Sequence, residues 1–384
     1  MKPAAGCELH AGDQLVVLSH LRWDSVWQRP HHLISRLSPR YARTLFVEEP
    51  FATPEVSRAG EMQVDALQHI SRVRIELESV PRAMSFESTV TAAYTDAITS
   101  VLDPSLETTV WLYTPMALEI ALALRPSLLV YDVMDDLAAF RYALPTTLLR
   151  QRQALRAADV VFTGGRSLHR GVVDHRPDVT HCFPSGVEPR HYAPASTART
   201  ARGDNVRPVA GYVGVIDERI DLALVADLAT RAPDWDIQMV GPVVKIEESD
   251  LPRADNLHYL GTQPYAALPA VMAEFDVALM PFALNEATRS ISPTKTLEYL
   301  AAGLPVVSTR VADVVADYGE IVMFADDGGG FASACRAAMA DDVSARAALT
   351  QRLVREHDWD SIAARMAVLL DSAGAGRVAE RETA

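Results

Sequence analysis

The sequence predicts an α/β protein of two domains, each built on a mainly parallel sheet. Three observations lead there. Short apolar, β-branched runs alternate with longer helical patterns along nearly the whole chain, as βαβ units require. The alternation lapses around residues 188–207, where EPRHYAPASTARTARGDNVR has no hydrophobic period, and then restarts. At 384 residues the chain is long enough for two such domains of ordinary size.

Taken in order, strands are expected in the first half at Gln14–Ser19, Thr44–Glu48, Val73–Leu77, Thr109–Leu112, Leu128–Asp132, Val160–Thr163 and Thr180–Phe183. Pro30 suits the first turn of a helix over Pro30–Leu37, where its missing N–H costs nothing. A second helix is expected over Thr146–Ala157. In the second half, strands are expected at Val209–Val213, Asp236–Val240, Leu257–Tyr259, Val277–Met280, Val306–Ser308 and Ile321–Phe324. The layout is therefore an N-terminal domain over 1–190, a linker over 191–207 and a second domain over 208–355. A C-terminal helix over 356–384 is expected to cross back to the first domain.

Composition narrows the function. Hydrophobic residues make up 49% and charged residues 22%, the balance of a folded soluble chain. The most apolar stretch, Ala117 to Val133, is broken by Glu119, Arg125 and Pro126, so no bilayer-spanning segment is expected. The N-terminus MKPAAGCELHAGD lacks the apolar core of a signal peptide. Cys7, Cys182 and Cys335 form no CxxC pair, which argues against a metal cluster or disulfide framework and fits a cytoplasmic location. Residues 1–207 carry 22 Lys+Arg against 23 Asp+Glu, and residues 208–384 carry 14 against 27. So acidic a second half speaks against nucleic-acid binding, which needs basic patches. The near-neutral, Arg-rich first half suits an anionic acceptor or peripheral contact with the inner face of a membrane. It also reads simply as a solvated surface of mixed charge.

The most informative stretch is Ser290–Thr309, SISPTKTLEYLAAGLPVVST. Ser292 reads as an N-cap and Pro293 as the first helical residue, with the helix running to Ala302 and stopping at Gly303. A helix start with free N–H groups and the hydroxyls of Ser292 and Thr294 is an anion site. Lys295, one of only three lysines in the chain, would neutralise a diphosphate there. Glu298, on the same helical face, suits the hydroxyls of a ribose. The alternative is a surface helix with a Lys295–Glu298 ion pair.

This segment resembles the donor-binding helix of GT-B glycosyltransferases, where a glutamate precedes Ala-Ala-Gly-x-Pro-Val-Val. The resemblance extends through RWDSVWQRPHHLISRL, YDVMDDLAAFRYA, ADVVFTGGRSL, PSGVE, GYVGVIDERIDLALV, LHYLGTQPYAALPAVMAEFDVALMPF and the terminal HDW, in that order. The chain is similar to group 1, family 4-like members, and within them to bacterial polysaccharide-assembly transferases of the teichuronic acid and xanthan glucuronosyl type. The fold this implies is GT-B, two Rossmann-like domains whose sheets face a central cleft. The activity it implies is metal-independent transfer from a nucleotide diphosphate sugar, UDP-linked, to a saccharide, glycolipid or small-molecule hydroxyl, without a cofactor. One feature departs from the pattern. Many retaining members carry a second glutamate eight positions before the first, and here that position is Ser290.

The resemblance also distributes roles. Gly214 and Arg219 would form the donor-facing loop, with Arg219 on the diphosphate. Gly241 and Leu260, at later strand ends, would bracket the nucleobase, and Tyr265 is either a base-stacking ring or core. In the first domain Asp132, Asp135 and Asp136 lie close together after an expected strand. Asp135 is the expected general base and Asp24 the second choice. His20, Trp23 and Arg29 are expected to line the acceptor side. His31-His32 reads as helix packing rather than a metal pair, since neighbouring helix positions point about 100 degrees apart. Two rivals share these motifs: a sugar-nucleotide 2-epimerase, and a non-catalytic sugar-nucleotide-binding subunit of a polysaccharide-assembly complex.

Overall fold

The structure, a computed structural model, describes residues 13–52, 62–67, 69–77, 85–86, 90–140, 143–202, 207–292, 294–341 and 343–383. It divides into two compact units. The first holds residues 1–164, 168–183 and 360–384, and the second holds 165–167 and 184–359.

The first unit is a nine-stranded sheet. Its strands are β1 (Asp13–Ser19), β2 (Arg43–Glu48), β3 (Phe51–Ala52), β4 (Met62–Leu67), β5 (Ile70–Leu77), β6 (Glu107–Leu112), β7 (Leu128–Val133), β8 (Val160–Thr163) and β9 (Thr180–Cys182). The order is β3-β5-β2-β1-β6-β7-β8-β9, and only β4 runs antiparallel, against β5. Helices α1 (Arg29–Leu37), α2 (Thr91–Val101), α3 (Leu118–Ala123), α4 (Thr147–Ala157) and α5 (Arg166–Val172) connect the strands. The central strands are buried on both faces, which explains their unbroken apolar runs. Val17 of β1 pairs with Phe46 on one side and Trp111 on the other. The strand order thus reverses at β1, where α/β sheets bind ligands beyond the carboxyl ends.

The second unit has six parallel strands in the order β12-β11-β10-β13-β14-β15. These are β10 (Val209–Val213), β11 (Asp236–Val240), β12 (Leu257–Gly261), β13 (Val277–Met280), β14 (Val306–Ser308) and β15 (Met323–Phe324). Its helices are α6 (Pro189–Arg202), α7 (Leu222–Arg231), α8 (Leu268–Ala273), α9 (Thr294–Ala301), α10 (Ala312–Tyr318), α11 (Gly328–Ala340) and α12 (Val343–Glu356). The order reverses at β10. The last helix, α13 (Trp359–Thr383), belongs to the first unit from Asp360 onward. Two units of this kind, each on a mainly parallel sheet, are the α/β fold class the sequence predicts.

Every strand expected from the sequence is present, with ends shifted by a few residues. Two strands were not foreseen: the two-residue β3 and the antiparallel β4. The segment expected as a linker is also different, because residues 189–202 form α6. Its buried positions, Tyr192 and Ala195, supply too little apolar pattern to be seen in sequence, and Pro194 lies inside it. Tertiary contacts hold it instead: Arg199 donates to Ala302 O (Nη1, 3.1 Å) and to Gly303 O.

Candidate functional site

In the second unit, three strand ends lie against one another. Gly214 N–H donates to Val240 O at 2.9 Å, and Gly241 N–H donates to Gly261 O at 2.9 Å. Gly241 has φ +145°, and a Cβ there would stand 1.8 Å from Gly214 O. Only glycine lets these backbones meet at the carboxyl edge of the sheet. Leu260, near the end of β12, is 44% exposed.

The loop after β10 is organised by Asp217, which is 2% exposed. Its carboxylate accepts from Arg219 Nε at 2.9 and 3.1 Å, from Nη2 at 2.8 Å and from the Arg219 N–H at 3.0 Å. Bidentate diphosphate recognition was expected of Arg219. The Nε–Nη2 edge of its guanidinium instead holds Asp217, so that expectation is corrected for this edge. The guanidinium is a strut of the loop.

Helix α9 follows β13 and its sequence explains both ends. Leu297, Tyr299 and Leu300 are buried. At the far end Gly303 has φ +70°, Gly303 N–H donates to Leu300 O (3.0 Å) and Leu304 N–H to Tyr299 O (2.9 Å), a Schellman cap. At the near end Ser292, Thr294 and Lys295 are half-buried; Pro293 lies outside the described residues. Lys295 Nζ donates to Glu298 Oε2 at 2.8 Å, with the two side chains 15% and 7% exposed. The ion pair is thus real, but it is sheltered rather than on a solvated face.

Tyr299 fixes α9 against the end of β10. β10 pairs with β13 only through Ala210 and Gly211, leaving the Val213 N–H without a ladder partner. The Tyr299 hydroxyl accepts that N–H at 2.8 Å and approaches Val213 O at 3.3 Å. Burial raises the Tyr212 phenol, with Arg219 pulling it down and Asp217 and Glu298 pushing it up. The β10 loop and α9 therefore share one electrostatic neighbourhood. Tyr265 stacks on His191, centroids 4.1 Å apart and planes 7° from parallel, and donates to Glu188 Oε2 at 2.5 Å. One face of that ring is core.

In the first unit the carboxyl ends of β1, β2 and β7 carry the polar residues. Arg29 is 2% exposed and Asp132 fully buried. Arg29 Nε lies 3.0 and 2.9 Å from the Asp132 oxygens, and Nη1 donates to Phe183 O at 2.7 Å. Arg29 is therefore a buried tie between α1, β7 and the end of β9, not a residue lining an acceptor surface. Asp132 is the partner of that guanidinium. Asp135 and Asp136 follow β7, both half-buried. Asp24, the second choice of base, is 66% exposed and paired with Arg72 (3.1 Å).

His20 and Trp23 are half-buried in the loop after β1. The Trp23 N–H donates to Glu48 Oε1 (2.9 Å), and its ring packs on Phe46 and His31. His31 is fully buried: Nδ1 accepts from Gln28 N–H (3.1 Å) and Nε2 lies 3.0 Å from Arg22 O, the pattern of a neutral ring. Burial lowers its pKa accordingly. His32 packs on Trp27, as expected for helix packing.

Two carboxylates were missed. Glu48 is the last residue of β2 and fully buried, and Glu49 follows it. Burial raises both, and pushes Glu49 up to about 7, against the pull of Ser85 (2.7 Å) and Arg22. The available signal was an acidic pair at the end of an apolar strand.

Among the described residues no group of three or more His, Cys, Asp and Glu is placed to hold a metal ion. No helix there is long and apolar enough to cross a membrane.

With this geometry in hand, comparison with known proteins is informative. Residues 207–341 match the family model "Glycosyl transferases group 1". A segment of 106 residues is 30% identical to a Bacillus subtilis protein named for teichuronic acid biosynthesis, glycosyltransferase TuaH. That match spans 27% of this chain and 27% of the relative. Among solved structures, HepE from Anabaena in complex with UDP and glucose superposes with a TM-score of 0.70 at 15% identity, covering 94% of this chain and all of that one. Sucrose-phosphate synthase from Thermosynechococcus elongatus gives 0.72 at 16% identity, covering 95% of this chain and all of the other. At such identities these two speak to the fold.

Proposed function

We propose that this chain, a GT-B-fold protein whose second unit carries the group 1 glycosyl transferase sequence, is a glycosyltransferase of polysaccharide biosynthesis. It moves a sugar from a nucleotide diphosphate donor, UDP-linked, to a hydroxyl of a saccharide, glycolipid or small-molecule acceptor, and needs no metal. The observation that carries the reading is the start of α9. Lys295, braced by Glu298 at 2.8 Å, stands in the first turn of a helix that Tyr299 ties to the carboxyl end of β10. N–H groups of that turn and the Lys295 ammonium form a preorganised positive site for a departing diphosphate. Glu298 accepts from the ribose, Gly214 and Gly241 admit the donor to the backbone, and Leu260 covers the base. UDP in the HepE complex supports the choice of nucleotide.

Chemistry requires the acceptor O–H to lose its proton as its oxygen bonds to the anomeric carbon. The bond from that carbon to the phosphate oxygen breaks, and the nucleotide leaves with the electron pair. Asp135 takes the proton in this proposal, with His20 and Trp23 on the acceptor side.

The test is calorimetric titration with UDP and GDP in the presence of a chelator. UDP is expected to bind, and Lys295→Ala and Glu298→Ala each to weaken it tenfold or more. Asp135→Asn is expected to keep UDP binding and lose transfer. Binding of neither nucleotide at millimolar concentration would sink the proposal.

A further inference from the structure

Helix α6 opens in the segment where the sequence offered only a linker, and its first turn carries Tyr192 into the interior of the second unit. The His191 and Tyr192 N–H groups both donate to Glu188 O, at 3.1 and 3.4 Å. Tyr265, at the start of the short turn Tyr265–Ala267 before α8, fixes the side chains. Its ring lies flat on His191 and edge-on to Tyr192, with centroids 4.1 and 6.3 Å away. His191 Nε2 stands 3.1 Å from Tyr265 O. Tyr192 is 1% exposed, and its buried hydroxyl has no hydrogen-bond partner among the described residues. A buried O–H in that condition is costly and calls for an explanation. Its surroundings supply one. Burial does most to hold the Tyr192 proton in place, and the Glu298 carboxylate and the Tyr265 phenol, both close by, add to it. Neither neighbour has a proton to give. Tyr265 spends its own on Glu188 Oε2 at 2.5 Å, and Glu298 is ion-paired with Lys295. One donor therefore stands before two groups that can only accept.

We infer that Tyr192 is a positioning residue for the nucleotide: its O–H orients the Glu298 carboxylate so that the remaining lone pairs meet the ribose hydroxyls. The inference rests on the donor reading of Glu298 given above. Lys295 holds Glu298 by one oxygen. The terminal torsion of a glutamate is broad, so a carboxylate held at one oxygen still turns. A second hydrogen bond, from a ring locked by His191 and Tyr265, removes that freedom. Binding then gains from preorganisation rather than from a new contact with the ligand. Tyr192 is too deep to touch the nucleotide, so it acts through Glu298. The Tyr265 oxygen is the competing destination for the same proton, which sets the sign of one variant below.

The experiment is calorimetric titration of the full chain with UDP and with 2′,3′-dideoxy-UDP, which lacks both ribose hydroxyls. Tyr192→Phe is expected to weaken UDP by about tenfold and the dideoxy analogue by less than about twofold. A merely structural hydroxyl would weaken both alike. Added to Glu298→Gln, Tyr192→Phe is expected to change UDP affinity by less than about twofold, since the group it orients is already altered. Tyr265→Phe keeps the ring and removes the competing oxygen, and is expected to leave UDP affinity equal or tighter. Equal losses on both ligands, a full loss in the Glu298→Gln background, or a loss in Tyr265→Phe as large as in Tyr192→Phe overturns the inference. So does a Tyr192→Phe chain without native circular dichroism, because the hydroxyl would then serve the core. A native preference for UDP that Glu298→Gln abolishes and Tyr192→Phe leaves intact overturns the inference alone. Native binding of both ligands alike overturns the ribose role of Glu298, and the inference with it.

Discussion

Arg29 and Glu49 show how burial decides what a charged residue does. Burying the Arg29 guanidinium inside the sheet demands partners, and Asp132 and Phe183 O supply them. Burial raises the Asp132 carboxyl, and the guanidinium pulls against that rise without cancelling it. Against the smaller pulls of Ser85 and Arg22, burial carries Glu49 up to about 7. A carboxyl with a raised folded pKa favours the fold fully below its unfolded value. That contribution is lost as pH climbs through the folded value. The window here runs from about 4.5 to about 7. Glu49→Gln keeps an acceptor for Ser85 and removes the charge. It is expected to stabilise the protein by roughly 2–3 kcal/mol at pH 8 and by little at pH 4.5. Urea denaturation at the two pH values measures this; an equal effect at both would show that burial of the carboxylate is not the cause.

At the scale of elements, α9 works because both ends are fixed by different means. Its C-terminus is capped through Gly303, where a side chain would also strike Ser196 Oγ at 2.9 Å. Its middle is bolted to β10 by the Tyr299 hydroxyl, which meets a buried N–H that no strand satisfies. Tyr299→Phe leaves that N–H unsatisfied, with an expected cost of about 1–3 kcal/mol. If α9 orients the donor site, UDP affinity should fall as well, although Tyr299 is itself fully buried. Stability lost with affinity intact would confine Tyr299 to folding.

Across the whole molecule, each unit has a core of its own, one built around residues such as Leu45 and Val110, the other around Phe275 and Phe331. A ligand confined to one unit stabilises that unit by mass action, by about 2.7 kcal/mol at one hundred times its dissociation constant. Saturating UDP is therefore expected to slow hydrogen exchange in peptides covering β10, β11 and α9, and to leave β1, β2 and β7 unchanged. Protection centred on the first unit's strands would place the nucleotide elsewhere.

The strands and helix α9 were legible in the sequence because each rests on local chemistry. Apolar runs flanked by turn residues give strands, and Lys295, Glu298 and Gly303 punctuate one helix. Helix α6 was not legible, since Tyr192 and Ala195 make too sparse a stripe and its stability comes from partners distant in sequence. Arg29 was misplaced for the same reason: sequence shows an arginine opening a helix near other polar residues. Only folding brings Asp132, 103 positions away, within 2.9 Å. Periodicity and capping are properties of neighbours along the chain and can be read there. Burial, and with it the difference between a charge that binds substrate and one that holds the sheet, is set by residues the chain brings together from afar.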